Sequence, residues 1–542
     1  MSVQRIPESF LVPPELRAQL VYALPELQYG DRLNLCEELV GRRVAAGQSD
    51  RIAYHTAEGT VTYGALYGRA NRIAAALAKL GVEPGDRVIL RLEDSETLVA
   101  TLLALWRIGA VAVPTFMKLR GRDLVYREQD TQARALIVAD SLAADVVTVE
   151  GEFRHVEQII AAPEASHAGH HSLAALERDA PAAVEAQPTL TGDLAAIFYT
   201  SGSTGEPKGC YHTHGELLSV PDAYGRYALN VRSDDVFAGP PPLGFALGFQ
   251  YHVLLPLRFG ASAVLGVPKK PLDYLEALGR YGVTVLVGVP TFYNQMLNAT
   301  ENVGAAWTGD SVRCVKSGGE PLLQATFDRW NEWAGVPLTN LIGFTEVMHH
   351  CISYREEVGW PRSTALGRAL PGWEVVVRDP DSFREVPRGA SGMLTVRGPT
   401  GTTYWGKPER QSEAVREGWN CFRDAVTMDD EGFLRFKARR DDVIVASGYN
   451  VAPAEVEGVL VRHPAVEECA VVGDADPEGV RPTIIKAFVV VATGADPGPE
   501  LVAELQAFFK RSAPPHLYPR TITFVEELPT TSTGKLLRSA LR

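Results

Sequence analysis

The densest concentration of reactive groups in this sequence is the string Tyr199-Thr200-Ser201-Gly202-Ser203-Thr204-Gly205-Glu206-Pro207-Lys208-Gly209. Its glycines let backbone N–H groups converge on an anion without Cβ interference, and its hydroxyl residues add short donors. Lys208 offsets anionic charge at the end of the loop. A Gly/Ser/Thr cluster is ordinarily a solvent loop. This one directly follows an apolar, strand-like run at 194–199, and a buried strand feeding such a loop can cradle a polyphosphate. It is not a Walker A loop: GxxxxGK[ST] is absent here and around Gly534-Lys535, where Leu536 follows. A second candidate is Pro529-Thr-Thr-Ser-Thr-Gly-Lys535, an ammonium group behind a Ser-Thr-Gly lead-in. Standing alone, such a lysine is a solvated surface residue.

Further motifs follow in order: Ser317-Gly318-Gly319-Glu320-Pro321, Asn340-Leu341-Ile342-Gly343-Phe344-Thr345-Glu346, Asp424 in Trp419-Asn-Cys-Phe-Arg-Asp-Ala425, Ala438-Arg439-Arg440-Asp441-Asp442, and Gly448-Tyr-Asn-Val-Ala-Pro453. With the phosphate loop and the Lys535 motif, they resemble the adenylate-forming superfamily: acyl-CoA and aryl-CoA ligases, nonribosomal adenylation domains and luciferases. The resemblance covers nearly the whole chain. It implies that Thr200, Ser201, Gly202, Ser203, Thr204, Gly205 and Lys208 hold the phosphates of ATP. Gly319, Glu320, Pro321, Gly343 and Phe344 are further nucleotide contacts by the same resemblance. Thr345 would meet the α-phosphate, and Glu346 would hold the magnesium that bridges the phosphates, as a hard cation with few protein carboxylates requires. Asp424 would clamp the ribose hydroxyls, and Arg439 would contact ribose or phosphate. Asp441 would be the pivot between domains, and Gly448 would approach the thiol channel after rotation. Lys535 would act with Thr345 and Glu346 as the catalytic set. The chain departs from the family pattern at Phe422 and Arg423, where relatives carry Thr-Gly, and at Ala438, where they carry glycine. It also places Ile342 where many relatives carry an aromatic. Ile-Gly, Thr-Glu and then His349 resemble benzoate and 2-aminobenzoate CoA ligases. For the acid, alignment with aryl-CoA ligases singles out Phe245, Gly318, Gly343, Met348 and His349. A flat ring would stack on Phe245 while the two glycines admit its edge.

The resemblance implies an ATP-dependent aryl-CoA ligase. It would activate an aromatic carboxylic acid, first 2-aminobenzoate and then benzoate, as an acyl-adenylate and pass it to coenzyme A. Two readings stay open beside it: an enzyme loading an aryl acid onto a carrier protein, and a medium-chain acyl-CoA ligase. A non-catalytic nucleotide-binding scaffold is the alternative from another class, against which Lys208, Glu346, Asp424 and Lys535 argue together. The chain ends seven residues after Lys535, so a fused carrier domain is not expected. A monomer or homodimer is expected.

Composition bounds the rest. The 542 residues predict two to four domains, and 46% hydrophobic content predicts packed cores. A net charge of −13 excludes a broad positive surface for nucleic acid or anionic lipid, though not a local cationic pocket. The six cysteines contain no CxxC pair, which predicts reduced thiols in a cytoplasmic setting. Neither a leader with a cleavage signal nor a membrane-length apolar run is expected.

These groups must be held by alternating strands and helices. Leu66, Ala70, Ile73, Leu77 and Leu80 recur at helical spacing, with Thr62 placed to cap the start and Gly81 the end. Strands are predicted at 87–92, 111–113, 135–138, 194–199, 283–289, 312–315 and 339–342, with a second helix capped by Ser95 and ending near Gly109. Near-continuous apolar strands between helices predict parallel sheets covered on both faces. The predicted fold is α/β: a large N-terminal domain over 1–440 with mostly parallel sheets, and a small mobile α+β domain over 441–542. The latter reads as helix 454–462, strands 466–473 and 484–491, helix 499–511 and strand 521–526.

Overall fold

The computed structural model describes residues 2–200, 206–267, 270–354, 364–439, 442–446, 449–475, 483–492, 494–530 and 536–541. Helix Tyr63–Lys79 buries Leu66, Ala70, Ile73 and Leu77 on one face, and the Thr62 side chain accepts from the Ala65 N–H at its start. Leu80 is its C-cap, and Gly81 follows at φ +86°, where a Cβ would be strained. Each leucine or isoleucine so buried stabilises the fold by roughly 1.5–3 kcal/mol. Ser95 does sit at the N-cap of Glu96–Arg107, but makes no cap bond. Its hydroxyl donates to the Glu93 carbonyl at 3.2 Å instead, a local turn bond that outcompetes the helix end.

Among the described residues, one sheet runs in spatial order His171–Ser172, Gln158–Ala162, Ala135–Ala139, Arg87–Arg91, Val111–Pro114, Leu194–Thr200 and Lys208–Thr213. All neighbours pair in parallel except the last two. Alternate residues pack into two different cores: Val88, Leu90 and Ile137 into one, Ile89, Leu136 and Val138 into the other. Both faces are therefore covered, which is why these strands are apolar throughout.

A second sheet has a parallel centre, Val236–Ala238, Ser262–Val264, Val285–Gly288, Cys314–Ser317 and Leu338–Phe344, with antiparallel additions at both edges. Its strands near 283 and 312 begin two residues later than the apolar runs suggest, because parallel pairing starts at Val285↔Cys314. Residues 374–439 build a third, antiparallel sheet from Glu374–Arg378, Ser391–Arg397, Val415–Arg416, Trp419–Met428 and Leu434–Arg439. The parallel alternation read from the sequence does not include it.

The C-terminal part has its own core from Ile444 to Ile522. Helices Pro453–Leu460 and Pro499–Ser512 pack with strands Val466–Asp474, Ile484–Val491 and Thr521–Phe524. The expected boundary at 440–441 lies outside the described residues. Thr530 bridges Leu536, and the Leu537 N–H donates to the Pro529 carbonyl at 2.8 Å. Arg538 then pairs with the buried Glu457 at 2.5 Å, tying this end of the chain to helix Pro453–Leu460. All six cysteines are free thiols.

Candidate active site

Thr200 ends its strand directly opposite Lys208, so the two ends of the phosphate loop stand side by side. Ser201, Gly202, Ser203, Thr204 and Gly205 lie outside the described residues. The Lys208 ammonium is 5.1 Å from the centroid of the Tyr404 ring, and the Tyr404 hydroxyl donates to Glu346 Oε1 at 3.3 Å. Burial and the Glu346 carboxylate hold the Tyr404 phenol well above its ordinary range, so it remains a donor. Thr345 and Glu346 ride on a tight turn, Thr345–Val347, closed by Met348 at φ 43°. The Thr345 carbonyl accepts from His212 Nε2 at 2.9 Å. Burial lowers the His212 pKa to about 3, so the ring is neutral and its Nε2–H points at that carbonyl. The turn bearing Thr345 and Glu346 is thereby fastened to the strand that leaves the phosphate loop.

No cluster of three or more His, Cys, Asp or Glu side chains suited to a metal occurs among the described residues. Glu346, one half-buried carboxylate, stands across Tyr404 from Lys208. That donor set fits magnesium carried in on substrate phosphates and keeping its waters, rather than a protein cage.

Just beyond strand Cys314–Ser317, the Gly318 N–H donates to the Gly288 carbonyl at 3.1 Å, and exposed Gly319 takes φ +88°. The Glu320 carboxylate accepts from Thr291 Oγ1 at 2.8 Å and Thr291 N at 3.3 Å, at the start of helix Pro290–Val303, where negative charge is favoured. Pro321 is exposed beside it. Phe344 stacks face to face on Phe422, with centroids 3.4 Å apart and planes at 7°. Phe422, one of the departures from the family pattern, thus makes an aromatic pair next to the Thr345 turn. Asp424 and Arg439 are directly paired across adjacent strands, with Arg439 Nε 3.8 Å from Asp424 Oδ1. Asp424 is largely covered and Arg439 half open to solvent, a carboxylate and a guanidinium presented at one edge. Asp441, Gly448 and Lys535 lie outside the described residues.

The acid side differs from expectation. Half-buried Phe245 is the N-cap of helix Ala246–Phe249 and is already stacked on Phe116, at 4.6 Å and 21°. Gly318 and Gly343 are expected to admit a ring edge, and each is packed on the side a Cβ would take. A Cβ at Gly318 would come within 2.4 Å of Leu341 Cδ1, and one at Gly343 within 2.5 Å of His350 Nδ1. Met348 and His349 are fully buried rather than lining open space. His349 Nδ1 lies 2.7 Å from the His350 carbonyl, the Trp373 indole N–H points at the same nitrogen at 3.3 Å, and the two rings meet edge-on at 5.1 Å. The physical reason is strand parity. His349–Ser353 pairs with Leu338–Phe344 so that Gly343 stands opposite His350, and successive side chains point to opposite faces. The histidine beside Gly343 is therefore His350.

Four residues of this region escape sequence reasoning: His212, Tyr404, Phe116 and His350. The first three act across long separations that no local pattern encodes. The fourth had a signal, the His349-His350 doublet on a strand of known parity.

With this arrangement described, the chain can be set beside known proteins. Residues 41–405 match the model of the AMP-binding enzyme family, and residues 455–535 match that of the AMP-binding enzyme C-terminal domain. The chain belongs to the AMP-binding enzyme family. It is 34% identical over 523 residues to a benzoate–CoA ligase of Thauera aromatica, covering 96% of this chain and 97% of the relative. It is 30% identical over 516 residues to a 3-hydroxybenzoate–CoA ligase of Aromatoleum sp. (strain CIB), covering 94% and 96%. Among solved structures it is similar to the anthranilate CoA ligase AuaEII in complex with anthranoyl-AMP, with a TM-score of 0.89 at 29% identity over 96% of this chain and 98% of that one. The α/β architecture with a large N-terminal and a small C-terminal part is that of the family. Among the described residues no helix is long and apolar enough to cross a membrane.

Proposed function

We propose that this member of the family is an AMP-forming aryl-CoA ligase. It activates an aromatic carboxylic acid of the benzoate class, with 2-aminobenzoate and then benzoate the first acids to test, and transfers the acyl group to coenzyme A. The observation that carries this reading is the fastening of Lys208, Tyr404, Glu346 and Thr345 around the end of the phosphate loop. The full-length likeness to CoA ligases acting on benzoates supports the acid class.

A carboxylate is a poor acylating agent because its leaving group would be oxide. In the first step an oxygen of the acid attacks the α-phosphorus of ATP, and pyrophosphate leaves with the electrons of the broken P–O bond. Two anions approach each other, so cations and N–H donors must offset the repulsion in a site shielded from water. Lys208 and the loop through Gly205 bind the phosphates, Thr345 orients the α-phosphate, and Asp424 with Arg439 holds the ribose. Magnesium, held by Glu346, would supply further positive charge at the phosphates. Lys535 enters from the C-terminal domain and neutralises the developing charge. In the second step the thiolate of coenzyme A attacks the carbonyl carbon and AMP leaves. Rotation of the small domain about Asp441 withdraws Lys535 and brings the Gly448 segment to the thiol, so one site serves two reactions.

The test is a panel of aromatic, medium-chain and amino acids. Pyrophosphate release with ATP is followed by AMP release dependent on coenzyme A, with a carrier protein as alternative acceptor. Thioester formation with benzoates and coenzyme A is the expected result. Pyrophosphate release with no acid in the panel overturns adenylation, and transfer to the carrier protein alone overturns coenzyme A as acceptor.

A further inference from the structure

A strand-parity argument leads from Gly343 to a side chain that the reaction above does not use. His350 is 2% exposed, yet neither of its ring nitrogens has a hydrogen-bond partner. The other histidines near the site are different. His212 bonds the Thr345 carbonyl, His214 accepts from the Leu35 N–H, and His349 bonds the His350 carbonyl. Among the described residues, His350 is the histidine with both nitrogens buried and unused. Buried polar atoms are nearly always bonded, and an exception calls for an explanation.

Its surroundings give one. The imidazole lies against Gly343, on the strand that continues into Phe344, Thr345 and Glu346. On its other sides stand Tyr224, edge-on at 4.7 Å, and Tyr251 at 5.9 Å. These two phenols bond each other at 2.6 Å and make no hydrogen bond to the imidazole. Tyr251 lies on the helical segment that begins just after Phe245. His350 is thus held between the Thr345 turn and the helix that starts at Phe245, in an aromatic box whose walls are apolar faces. Burial, with His349 and Lys316 adding to it, keeps the ring neutral, so it offers one N–H donor and one acceptor.

We propose that His350 is a specificity-determining residue whose free nitrogens hydrogen-bond a hydroxyl or amino group on the ring of the bound acid. The preferred substrates are hydroxy- or aminobenzoates rather than benzoate itself. This rests on the aryl-CoA ligase reading and narrows it. A site built to bond a polar substituent discriminates strongly against an analogue that lacks it, because the protein group is then left unpaired.

The experiment uses isosteric pairs, which separate hydrogen bonding from size: 2-aminobenzoate with 2-methylbenzoate, and 3- and 4-hydroxybenzoate with the corresponding methylbenzoates. The readout is kcat/KM for pyrophosphate release. The wild-type enzyme is expected to favour the polar member of at least one pair by about tenfold or more. In His350→Leu that preference disappears. His350→Gln keeps a donor and an acceptor and retains part of the preference, which also covers failure of the leucine variant to fold. A polar-to-methyl ratio that is flat in the wild type, or unchanged in a folded His350→Leu or His350→Gln enzyme, overturns the proposal while leaving the aryl-ligase reading intact. No activity with any benzoate, beside activity on medium-chain or amino acids, overturns both.

Discussion

The two ends of the candidate site treat their polar groups in opposite ways. At the phosphate end, the Thr345 carbonyl is met by His212, the Glu346 carboxylate by Tyr404, and Asp424 stands opposite Arg439. At the acid end, a buried histidine keeps both nitrogens unpaired between Gly343 and two tyrosines bonded to each other. Preorganised donors are most useful where the same charge develops in every turnover, and that is the nucleotide end. Unpaired groups are most useful where recognition has to depend on what arrives. A protein can spend rigidity on its constant substrate and leave hydrogen-bonding capacity for its variable one.

Acid attacks both ends at once and is expected to give the largest effect, on stability. Burial lowers His212 and His214 to about 3, His349 to about 4 and His350 well below its usual value. These rings stay neutral in the fold but take protons near pH 6.5 in the unfolded chain. Below that pH the unfolded state binds more protons, so stability falls as pH drops towards the folded values. The loss is on the order of 1 kcal/mol per histidine over the first pH unit below 6.5. Glu216 opposes them: burial raises it to about 7, so between 4.5 and 7 it is protonated in the fold and ionised when unfolded. Its contribution falls as pH rises. Four histidines outweigh one carboxylate, and urea midpoints measured from pH 7.5 down to 5 should decline. A rising or flat midpoint would mean that these rings are not neutral in the fold.

Removal of the Lys535 ammonium comes next and acts on the phosphate end alone. Lys535→Ala should slow adenylate formation by about 10²–10³, on the order of 3–4 kcal/mol, as for one lost preorganised donor. Thioester formation from supplied acyl-adenylate should be spared, and so should the ratio between polar and methyl acids. Equal loss of both half-reactions would remove the separation of roles between the two steps.

How much of this contrast can be read from the sequence depends on how local its cause is. Lys208, Glu346, Asp424 and Arg439 sit in short strings whose residue types already suggest a nucleotide, and the fold sets Lys208 and Glu346 on either side of Tyr404 and Asp424 opposite Arg439. The elements over 453–524 are equally legible, because helix and strand periods there are clean and the core is their own. Tyr404 reaches Glu346 from 58 residues away, from the connection between Ser391–Arg397 and Pro408–Ala414, where it bridges Cys210. Phe116 covers Phe245 from a separate strand end. His349 was the sequence candidate because it follows the Thr-Glu pair at the family's spacing. Spacing along a chain does not specify which face of a strand a residue takes, and pairing with Gly343 assigns that face to His350.

A smaller effect should follow from loosening the turn without touching charge. Among the described residues, His212→Leu leaves the half-buried Thr345 carbonyl with the Met348 N–H at 3.1 Å, and an under-satisfied acceptor costs about 1–3 kcal/mol where water does not replace the donor. Because His212 positions the turn rather than touching substrate, kcat for pyrophosphate release should fall about 5- to 100-fold with little change in KM for the acid. His212→Gln, which can still donate, should recover part of it. A change confined to KM would argue that His212 supports the fold and not the turn.

The smallest effect, and the sharpest check on the contrast, belongs to Tyr404→Phe. The ring stays, so the Lys208 ammonium keeps its aromatic neighbour at 5.1 Å, and only the 3.3 Å bond to Glu346 is lost. Glu346 is half-buried, so water replaces the hydroxyl and the cost is about 1 kcal/mol, roughly fivefold in the rate of adenylation. That loss should be the same for 2-aminobenzoate and for 2-methylbenzoate, because in the proposed reaction Tyr404 acts at the nucleotide. His350→Leu should instead change the ratio between these acids. In the double variant the two effects should add, since neither side chain touches the other's partner. If Tyr404→Phe shifts the acid ratio as far as His350→Leu does, the two ends are one coupled network.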